Sequence, residues 1–369
     1  MGNTPFKKSK ALLIGVELEL QLIDNTTYDL CSRSPKLLQH LQNNPIEKNI
    51  KPEFLQSMLE INSIPHETVA DLLKELLVIR KQLEECSKSM DTLICGGGLH
   101  HFATWDNQTV FPIPRYEDIQ REYGYLVEHV TFGQHVHVGC SNGEDALYLT
   151  HALSHYVPHL IAMSASSPFV YRHDTALCSA RAGMDKMYSA CGDAIPYLTT
   201  WSQFSDYFNK MKAWGIIETM KDVYWDIRPK PEFGTVEIRV LDTPLTLSKV
   251  IQLTAYIQAL AAYLLHERPL SVNEDEYYLY KFNRIQAVRL GLQATIQTPS
   301  QKIQLAQDIL QSIKKIMPYA KQLDCSNCLL SLAEDIRAMK NDASLLRHIY
   351  KQQSSFEKTI EAQCRLWLL

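Results

Sequence analysis

Apolar and polar residues alternate in several short stretches of the chain, a pattern typical of β-strands with one buried face. In the first stretch, Val16 and Leu18 alternate with Glu17 and Glu19. Two-faced strands of this kind favour an antiparallel sheet that packs one face on helices and leaves the other open. The stretches predicted as strands are 11–24, 53–64, 92–95, 134–140, 223–227 and 234–241.

Longer segments repeat apolar residues at helical spacing. In 67–90 the residues Leu72, Leu76, Ile79 and Leu83 follow this period. No repeat, low-complexity tract or Pro/Gly/Ser linker divides the chain. We therefore predict one large unit that mixes helices and strands, after a loose polar start at 1–10 and before a helical tail. The segments predicted as helices are 67–90, 144–166, 247–266, 303–317 and 329–351, with only helical signals after about residue 301.

Composition excludes several classes of protein. The 369 residues are 46% hydrophobic and 21% charged, which is ordinary for a globular protein. The net charge of −4 gives no basic surface for nucleic acid. The first apolar run is interrupted by Glu17 and Glu19, so it predicts neither a signal peptide nor a membrane span. Nine cysteines at irregular spacing then fit reduced thiols in the cytoplasm.

Ionisable side chains share one face on four of the predicted strands, because residues i and i+2 point the same way. Such a face is costly unless a cation binds the carboxylates, and Mg²⁺ or Mn²⁺ suits carboxylate oxygens with an occasional imidazole. Each pair alone has an ordinary explanation, such as a solvated face or a cross-strand salt bridge. Their recurrence favours a metal-bearing carboxylate site. The residues are Glu17 with Glu19, Glu60, His135 with His137, and Glu237 with Arg239.

Ordered motifs carry a family resemblance. The strand Gly15-Val16-Glu17-Leu18-Glu19 resembles the opening motif of the glutamate–cysteine ligase type 2 family, whose members are ATP-dependent carboxylate–amine ligases. Further matches follow in the family's order through about residue 295. They are EFLQSMLEINSIP at 53–65, GQHVHVG at 133–139, the helix and turn at 153–169, GTVEIRV at 234–240, and the segment 283–292.

The resemblance implies an α+β, glutamine-synthetase-like fold. Its mainly antiparallel sheet would be curved, with helices on the convex face and an open concave active-site face. Residues 1–10 would be a flexible N-terminus, 11–295 the catalytic carboxylate–amine ligase domain, and 296–369 a helical region packed on the same unit. The family also implies ATP and Mg²⁺ as cofactors, small amino-acid and amine substrates, and a homodimer.

The resemblance also implies roles for individual residues. Arg239 and Glu237 would be catalytic, with Arg239 stabilising the transferring phosphoryl group. Arg181, Arg228 and Arg115, the last in a loop, would bind substrate carboxylates or phosphate through the guanidinium fork. Any of these arginines could instead form an ordinary ion pair or lie at the surface. The metal ligands would be Glu17, Glu19, Glu53, Glu60, His135, His137 and Glu237.

The expected reaction joins an amino-acid carboxylate, glutamate by resemblance, to cysteine or another small amine through an acyl-phosphate. Three alternatives stay open from the sequence. They are a metal-dependent hydrolase that uses the same carboxylates, a ligase relative that acts on a protein, and a non-catalytic binding protein. Gly96-Gly97-Gly98 lacks the Lys-Ser/Thr of a phosphate-binding loop, and we expect His100 and His101 to be structural.

Overall fold

The computed structural model describes residues 4–124, 130–184, 191–271 and 274–369, and helices surround one main sheet. The strands are β1 Ile14–Asp24, β2 Ile50–Pro52, β3 Met58–Asn62, β4 Thr92–Cys95, β5 Gly133–Gly139, β6 Phe169–Val170, β7 His173–Asp174, β8 Ile227–Lys230, β9 Thr235–Asp242, β10 Thr295–Gln297 and β11 Lys302–Gln304. The helices are α1 Ser34–His40, α2 Val69–Lys88, α3 Pro114–Tyr123, α4 Gly143–Ser154, α5 Val157–Ser164, α6 Ala180–Gly183, α7 Trp201–Ala213, α8 Leu247–Glu267, α9 Asp275–Leu290, α10 Leu305–Gln322, α11 Ser326–Arg337, α12 Asp342–Gln353 and α13 Phe356–Trp367.

The main sheet has seven strands in the order β2-β3-β1-β5-β9-β8, with β4 beside the second half of β1. Every pairing among these strands is antiparallel. The prediction of an antiparallel sheet from two-faced strands is therefore confirmed. Helices and this sheet together make the fold α+β.

The apolar face of the sheet forms the floor of the main core. Val16, Leu18 and Leu20 on β1 are buried there with Val136 on β5. The long helix α8, buried along most of its length, covers this face with α2, α4 and α5. One face of the sheet is therefore committed to packing, and the polar side chains must lie on the other. No helix in the described part of the chain is both long and apolar enough to cross a membrane.

The predicted single helix at 144–166 is wrong, because α4 ends at Ser154 and α5 begins at Val157. Pro158 lies in the first turn of α5. A proline has no amide hydrogen to donate to the preceding turn, and its ring clashes with the carbonyl four residues earlier. The helix must therefore stop and restart ahead of it.

Other boundaries also differ from the sequence prediction; for example, the strand predicted at 53–64 is limited to Met58–Asn62. The strand predicted at 223–227 lies at Ile227–Lys230 and follows a 3₁₀ turn, Met220–Asp222. The tail is not purely helical, since β10 and β11 form a small antiparallel pair before α10. The helix predicted at 329–351 is split into α11 and α12. Asn341 starts α12 by accepting a hydrogen bond from the Ser344 amide.

The two ends of the chain both contact the main body. In the described part of the N-terminal segment, the Lys7 amide donates to Pro231 O at 2.9 Å, and Phe6 packs edge-to-face on Trp201. Helices α10, α11 and α13 contribute Ile309, Leu329 and other residues to the same core as the sheet. The flexibility of residues 1–10 and the division at residue 295 stay predictions.

The triple glycine at 96–98 packs against the end of β9 and the residues that follow it. A Cβ atom on Gly96 would lie 1.9 Å from Pro244 O, and one on Gly98 would lie 2.6 Å from Asp242 Cγ. The buried Asp242 carboxylate accepts hydrogen bonds from the Ser166 amide at 2.9 Å and from Ser167 Oγ at 2.6 Å. These glycines therefore serve close packing, in agreement with their failure to match a phosphate-binding loop.

We expect His100 to make stability fall in mild acid. Its Nδ1 accepts from the Ala103 amide at 2.9 Å, Nε2 bonds Tyr28 O at 3.0 Å, and burial lowers its pKa to about 4. In the unfolded chain the His100 imidazole binds a proton near pH 6.5, whereas in the folded chain it stays neutral until about pH 4. Between pH 7.5 and 5.5 the group should therefore lower the unfolding free energy by about 1 kcal/mol.

Urea unfolding at the two pH values measures this effect. The His100→Gln variant should lose about that much of the pH dependence, whereas His40→Gln, on an exposed residue, should retain it. An unchanged pH dependence in a folded His100→Gln protein would contradict the assignment.

Candidate active site

The open face of the sheet forms the floor of a cavity of about 670 Å³. The sequence-predicted site residues that line it come from β1, β3, β5, β8 and β9, the turn before β3, and helices α3 and α6. They are Glu17, Glu19, Glu53, Glu60, Arg115, His135, Arg181, Arg228, Glu237 and Arg239. His137 lies beside them, with Nε2 at 3.3 Å from Glu17 Oε1.

Strand register brings these distant residues together. Glu17 on β1 lies opposite His135 on β5, and Glu19 lies opposite Glu60 on β3. On the other side of β5, His137 lies opposite Glu237 on β9. Directly paired residues of an antiparallel sheet have neighbouring side chains. The i, i+2 pairs seen in the sequence therefore become a continuous polar surface.

Glu17, His137 and Glu237 form one group that could hold a metal ion, because one ligand atom from each lies within 4.8 Å of the others. His137 Nδ1 lies 3.0 Å from Thr235 Oγ1, which fixes the ring. Its buried Nε2 points toward Glu17 Oε1 at 3.3 Å. A histidine oriented through one ring nitrogen, with its other nitrogen directed at a carboxylate that could share a metal ion, is the usual arrangement of a metal ligand. These residues fit a divalent cation.

Glu19, Glu53 and Glu60 form a second group with the same spacing. Burial and the nearby charge of Glu19 raise the pKa of Glu53 to about 7. Burial and the charge of Glu53 raise the pKa of Glu60 well above its ordinary value. Carboxylates crowded in this way repel one another unless a cation neutralises them. Hard divalent cations prefer such oxygen ligands, so this group also fits a metal ion.

His135 lies between the two groups. Its Nδ1 lies 3.1 Å from Glu17 Oε2, and its Nε2 lies 3.6 Å from Glu19 Oε1. Burial would raise the pKa of Glu17, but the hydrogen bonds to His135 and His137 hold that pKa well below its ordinary value. Glu17 is therefore an ionised carboxylate at neutral pH.

Two arginines hold Glu237. Arg228 Nε donates to Glu237 Oε2 at 2.7 Å, and Arg239 Nη1 donates to Glu237 Oε1 at 2.5 Å. Although burial would raise the pKa of Glu237, the positive charges of Arg228 and Arg239 keep it well below its ordinary value. Arg239 also lies 3.5 Å from His135 Nδ1, which places its guanidinium beside both candidate metal groups.

Arg181 and Arg115 both line the cavity. Arg181 lies over Gly133, whose added Cβ would be 2.1 Å from Arg181 Nη2, and its buried Nε has no partner among the described residues. Arg115 lies in helix α3, so its predicted loop position is wrong. Its Nη2 pairs with Asp222 Oδ1 at 3.0 Å, and Pro114 starts the helix at a position that needs no amide donor.

Several cavity residues were missed from the sequence. Asp226, just before β8, and Lys230 lie two residues on either side of the predicted Arg228, but the strand was predicted too early for the rest of this row to be recognised. Asp226 is fully buried and forms a bidentate ion pair with Arg284, whose Nε and Nη2 donate to its Oδ2 and Oδ1 at 2.6 and 3.3 Å. Asn62, two residues after Glu60, also faces the cavity and donates to Glu60 Oε1 at 2.8 Å. Extending the alternation would have found both rows.

Comparison with known proteins gives a consistent family. The model of glutamate-cysteine ligase family 2 matches residues 13–363. A relative from Legionella pneumophila (strain Paris), named "Putative glutamate--cysteine ligase 2-2", is 50% identical over 366 residues, which cover 98% of this chain and 95% of the relative. A relative from Ralstonia pickettii (strain 12J), named "Putative glutamate--cysteine ligase 2", is 44% identical over 370 residues, which cover 100% and 98% of the two chains.

Two solved structures share the fold at low sequence identity. The structure of glutamate–cysteine ligase from Francisella tularensis in complex with AMP superposes with a TM-score of 0.76 at 16% identity, covering 98% of this chain and 89% of that one. The structure of a bifunctional glutathione synthetase from Pasteurella multocida gives a TM-score of 0.64 at 14% identity, covering 96% and 52%. These similarities support the fold.

We expect Glu60→Gln to stabilise the metal-free protein. The raised pKa of Glu60 means that this carboxyl lowers stability as the pH rises above its unfolded-state value. A neutral amide removes the repulsion from Glu53 and Glu19, and the gain should be about 1–2 kcal/mol at pH 7.5. Thermal unfolding in EDTA measures it, and Mg²⁺ should then stabilise the wild type more than the variant.

Glu67→Gln is the matched control, since Glu67 is exposed and pairs with Lys10 at the surface. It should change the unfolding free energy by less than about 0.5 kcal/mol. A Glu60→Gln protein less stable than the wild type in EDTA would show that the carboxylates do not strain the fold.

Proposed function

The chain belongs to glutamate-cysteine ligase family 2 and is an ATP-dependent carboxylate–amine ligase, and we propose that it joins glutamate to cysteine or another small amine through an acyl-phosphate. One observation carries this proposal. Two groups of candidate metal ligands lie in a single cavity with Arg239 beside both.

The proposed reaction requires this concentration of charge. ATP and an amino-acid carboxylate are both anions and repel each other, so a site that binds them together must supply positive charge. Arginine side chains supply part of it from the protein. Mg²⁺ or Mn²⁺ held by the carboxylates and histidines of the cavity would supply further positive charge against the negative charge that develops during phosphoryl transfer. The proposed metal ligands are Glu17, Glu19, Glu53, Glu60, His135, His137 and Glu237.

The chain's own residues have distinct proposed roles. Arg239, kept cationic beside Glu237, stabilises the transferring phosphoryl group. Arg181 lines the cavity, and although its Nη1 and Nη2 donate to Val240 O and Arg239 O at 3.3 and 3.4 Å, each keeps a second N–H group that suits a substrate carboxylate or phosphate. Arg115 is half-exposed at the cavity wall and keeps donors beyond those used for Asp222.

The finer description of the protein is part of the same proposal. We propose a curved, glutamine-synthetase-like sheet with its concave face toward the cavity, and a catalytic unit at 11–295 that carries the 296–369 helices. The protein would act as a cytoplasmic homodimer, since two-fold dimers are the commonest symmetric assemblies. All nine cysteines lie in described segments and none is in a disulfide, which is compatible with this compartment.

Phosphate release from Mg²⁺-ATP tests the reaction. Purified protein should release phosphate when a carboxylate and an amine are supplied together, with glutamate and cysteine as the first pair, and not with either alone. Glu237→Gln should abolish the release, because it removes a proposed metal ligand held by two arginines. Hydrolysis of ATP or of a phosphate ester that needs no amine would contradict a ligase and indicate a hydrolase.

Arg239→Gln should lower kcat for phosphate release by about 10³- to 10⁵-fold, the range found when a phosphoryl-stabilising arginine is lost. Steady-state kinetics with both substrates saturating would measure the change. Arg172→Gln is a suitable control, since Arg172 pairs with Glu357 and does not line the cavity. A folded Arg239→Gln protein with kcat within tenfold of the wild type would contradict the proposed role.

A further inference from the structure

Arg228 uses nearly all of its hydrogen-bond donors inside the protein. Its Nε and Nη2 donate to the two oxygens of Glu237 at 2.7 and 3.2 Å. Its Nη1 donates to Met220 O at 2.8 Å and Val223 O at 2.5 Å. A guanidinium has five N–H groups, so four are occupied and one on Nη2 remains. The residue is also only 4% exposed. A substrate carboxylate cannot form a two-point contact with an arginine held in this way.

The backbone segment whose carbonyl groups accept hydrogen bonds from Arg228 Nη1 is itself held in place by packing and by a side-chain hydrogen bond. Met220 and Val223 are buried in a small hydrophobic cluster with Phe204 of α7 and Trp225, separate from the main core. Asp222 closes the turn between them by accepting from the Thr219 amide at 2.8 Å. The two carbonyl oxygens are therefore presented by a segment with little freedom to move.

The turn is also tied to the wall of the cavity. Asp222 Oδ1 pairs with Arg115 Nη2 of α3 at 3.0 Å. The bonds thus run from α3 through the turn at 219–223 to Arg228, and from Arg228 to Glu237 on β9. In the pairing of β8 with β9, Arg228 lies opposite Glu237. The guanidinium of Arg228 therefore contacts the Glu237 carboxylate directly across the two strands.

We propose that Arg228 is a positioning residue for Glu237, and that the turn at 219–223 is the brace that orients its guanidinium. This inference rests on the proposed function, in which Glu237 is a metal ligand with Glu17 and His137. It replaces the substrate-binding role that the sequence suggested for Arg228. A carboxylate held at both oxygens keeps the orientation that its metal needs, and loss of such an outer partner lowers metal affinity or activity by about 10- to 100-fold.

Mn²⁺ binding to the metal-free protein tests the inference without turnover. Titration calorimetry or paramagnetic resonance would give the Mn²⁺ dissociation constant of the wild type, Arg228→Gln and Arg228→Lys. We expect both variants to bind Mn²⁺ about 10- to 100-fold more weakly. Arg228→Lys is the decisive variant, because lysine keeps the charge but cannot reach both carbonyls and both carboxylate oxygens at once. With lysine, a charge effect would preserve the affinity and a positioning effect would lose it.

Arg347→Gln is the matched control. Arg347 also grips both oxygens of a carboxylate, Asp174 at 2.6 and 2.8 Å, and donates to a backbone carbonyl, Leu177 O at 2.7 Å. It does not line the cavity. This variant should lower the thermal midpoint and leave the Mn²⁺ affinity within twofold of the wild type. Circular dichroism would confirm that each variant is folded before its affinity is compared.

The outcomes separate the two proposals. Wild-type Mn²⁺ affinity in folded Arg228→Lys would overturn the positioning role and leave the proposed ligase untouched. A wild type that binds no Mn²⁺ would overturn both the positioning role and the metal part of the proposed function. Weaker Mn²⁺ binding in both Arg228 variants, but not in Arg347→Gln, would establish the positioning role even if glutamate and cysteine prove to be the wrong substrates.

Discussion

Crowding of carboxylates on one face of a β-sheet is the constraint on which the rest of this structure depends. Glu17, Glu19, Glu53, Glu60 and Glu237 all line one cavity, and charges of one sign at such distances raise the free energy of the fold. The protein supplies part of the opposing charge through buried arginines. The carboxylates that the arginines do not neutralise form, with His137, two groups of ligands at metal-binding spacing. Burying these charges destabilises the protein when no cation is bound, and the same charges bind a cation when one is present.

The helices allow the sheet to carry this charge. Because α8 and its neighbours bury the apolar face, the strands cannot shift register by one residue without moving leucines and valines out of the core. The same restriction fixes every polar side chain on the opposite face. The main core therefore sets the geometry of the site, even though none of its apolar side chains takes part in the chemistry.

Much of the site could be predicted from the sequence because strand alternation is local. Each i, i+2 pair, such as Glu17 with Glu19, shows its shared face without knowledge of the rest of the chain. The prediction failed where local signals were weak. The start of β8 was placed too early, so the row containing Asp226 and Lys230 was missed. The break between α4 and α5 depended on one proline that the apolar period concealed.

The sequence by itself determined the family, the antiparallel sheet and most of the charged residues that face the cavity, since these follow from periodicity and ordered motifs. Only the tertiary structure decided what each charged group contacts. Arg228 and Arg239 have the same ionisable group, yet one is enclosed by a turn nearby in the chain and the other lies beside His135, more than a hundred residues earlier. Hydrogen bonds are directional and act over about 3 Å, so their partners depend on how separate segments pack, which no local pattern encodes.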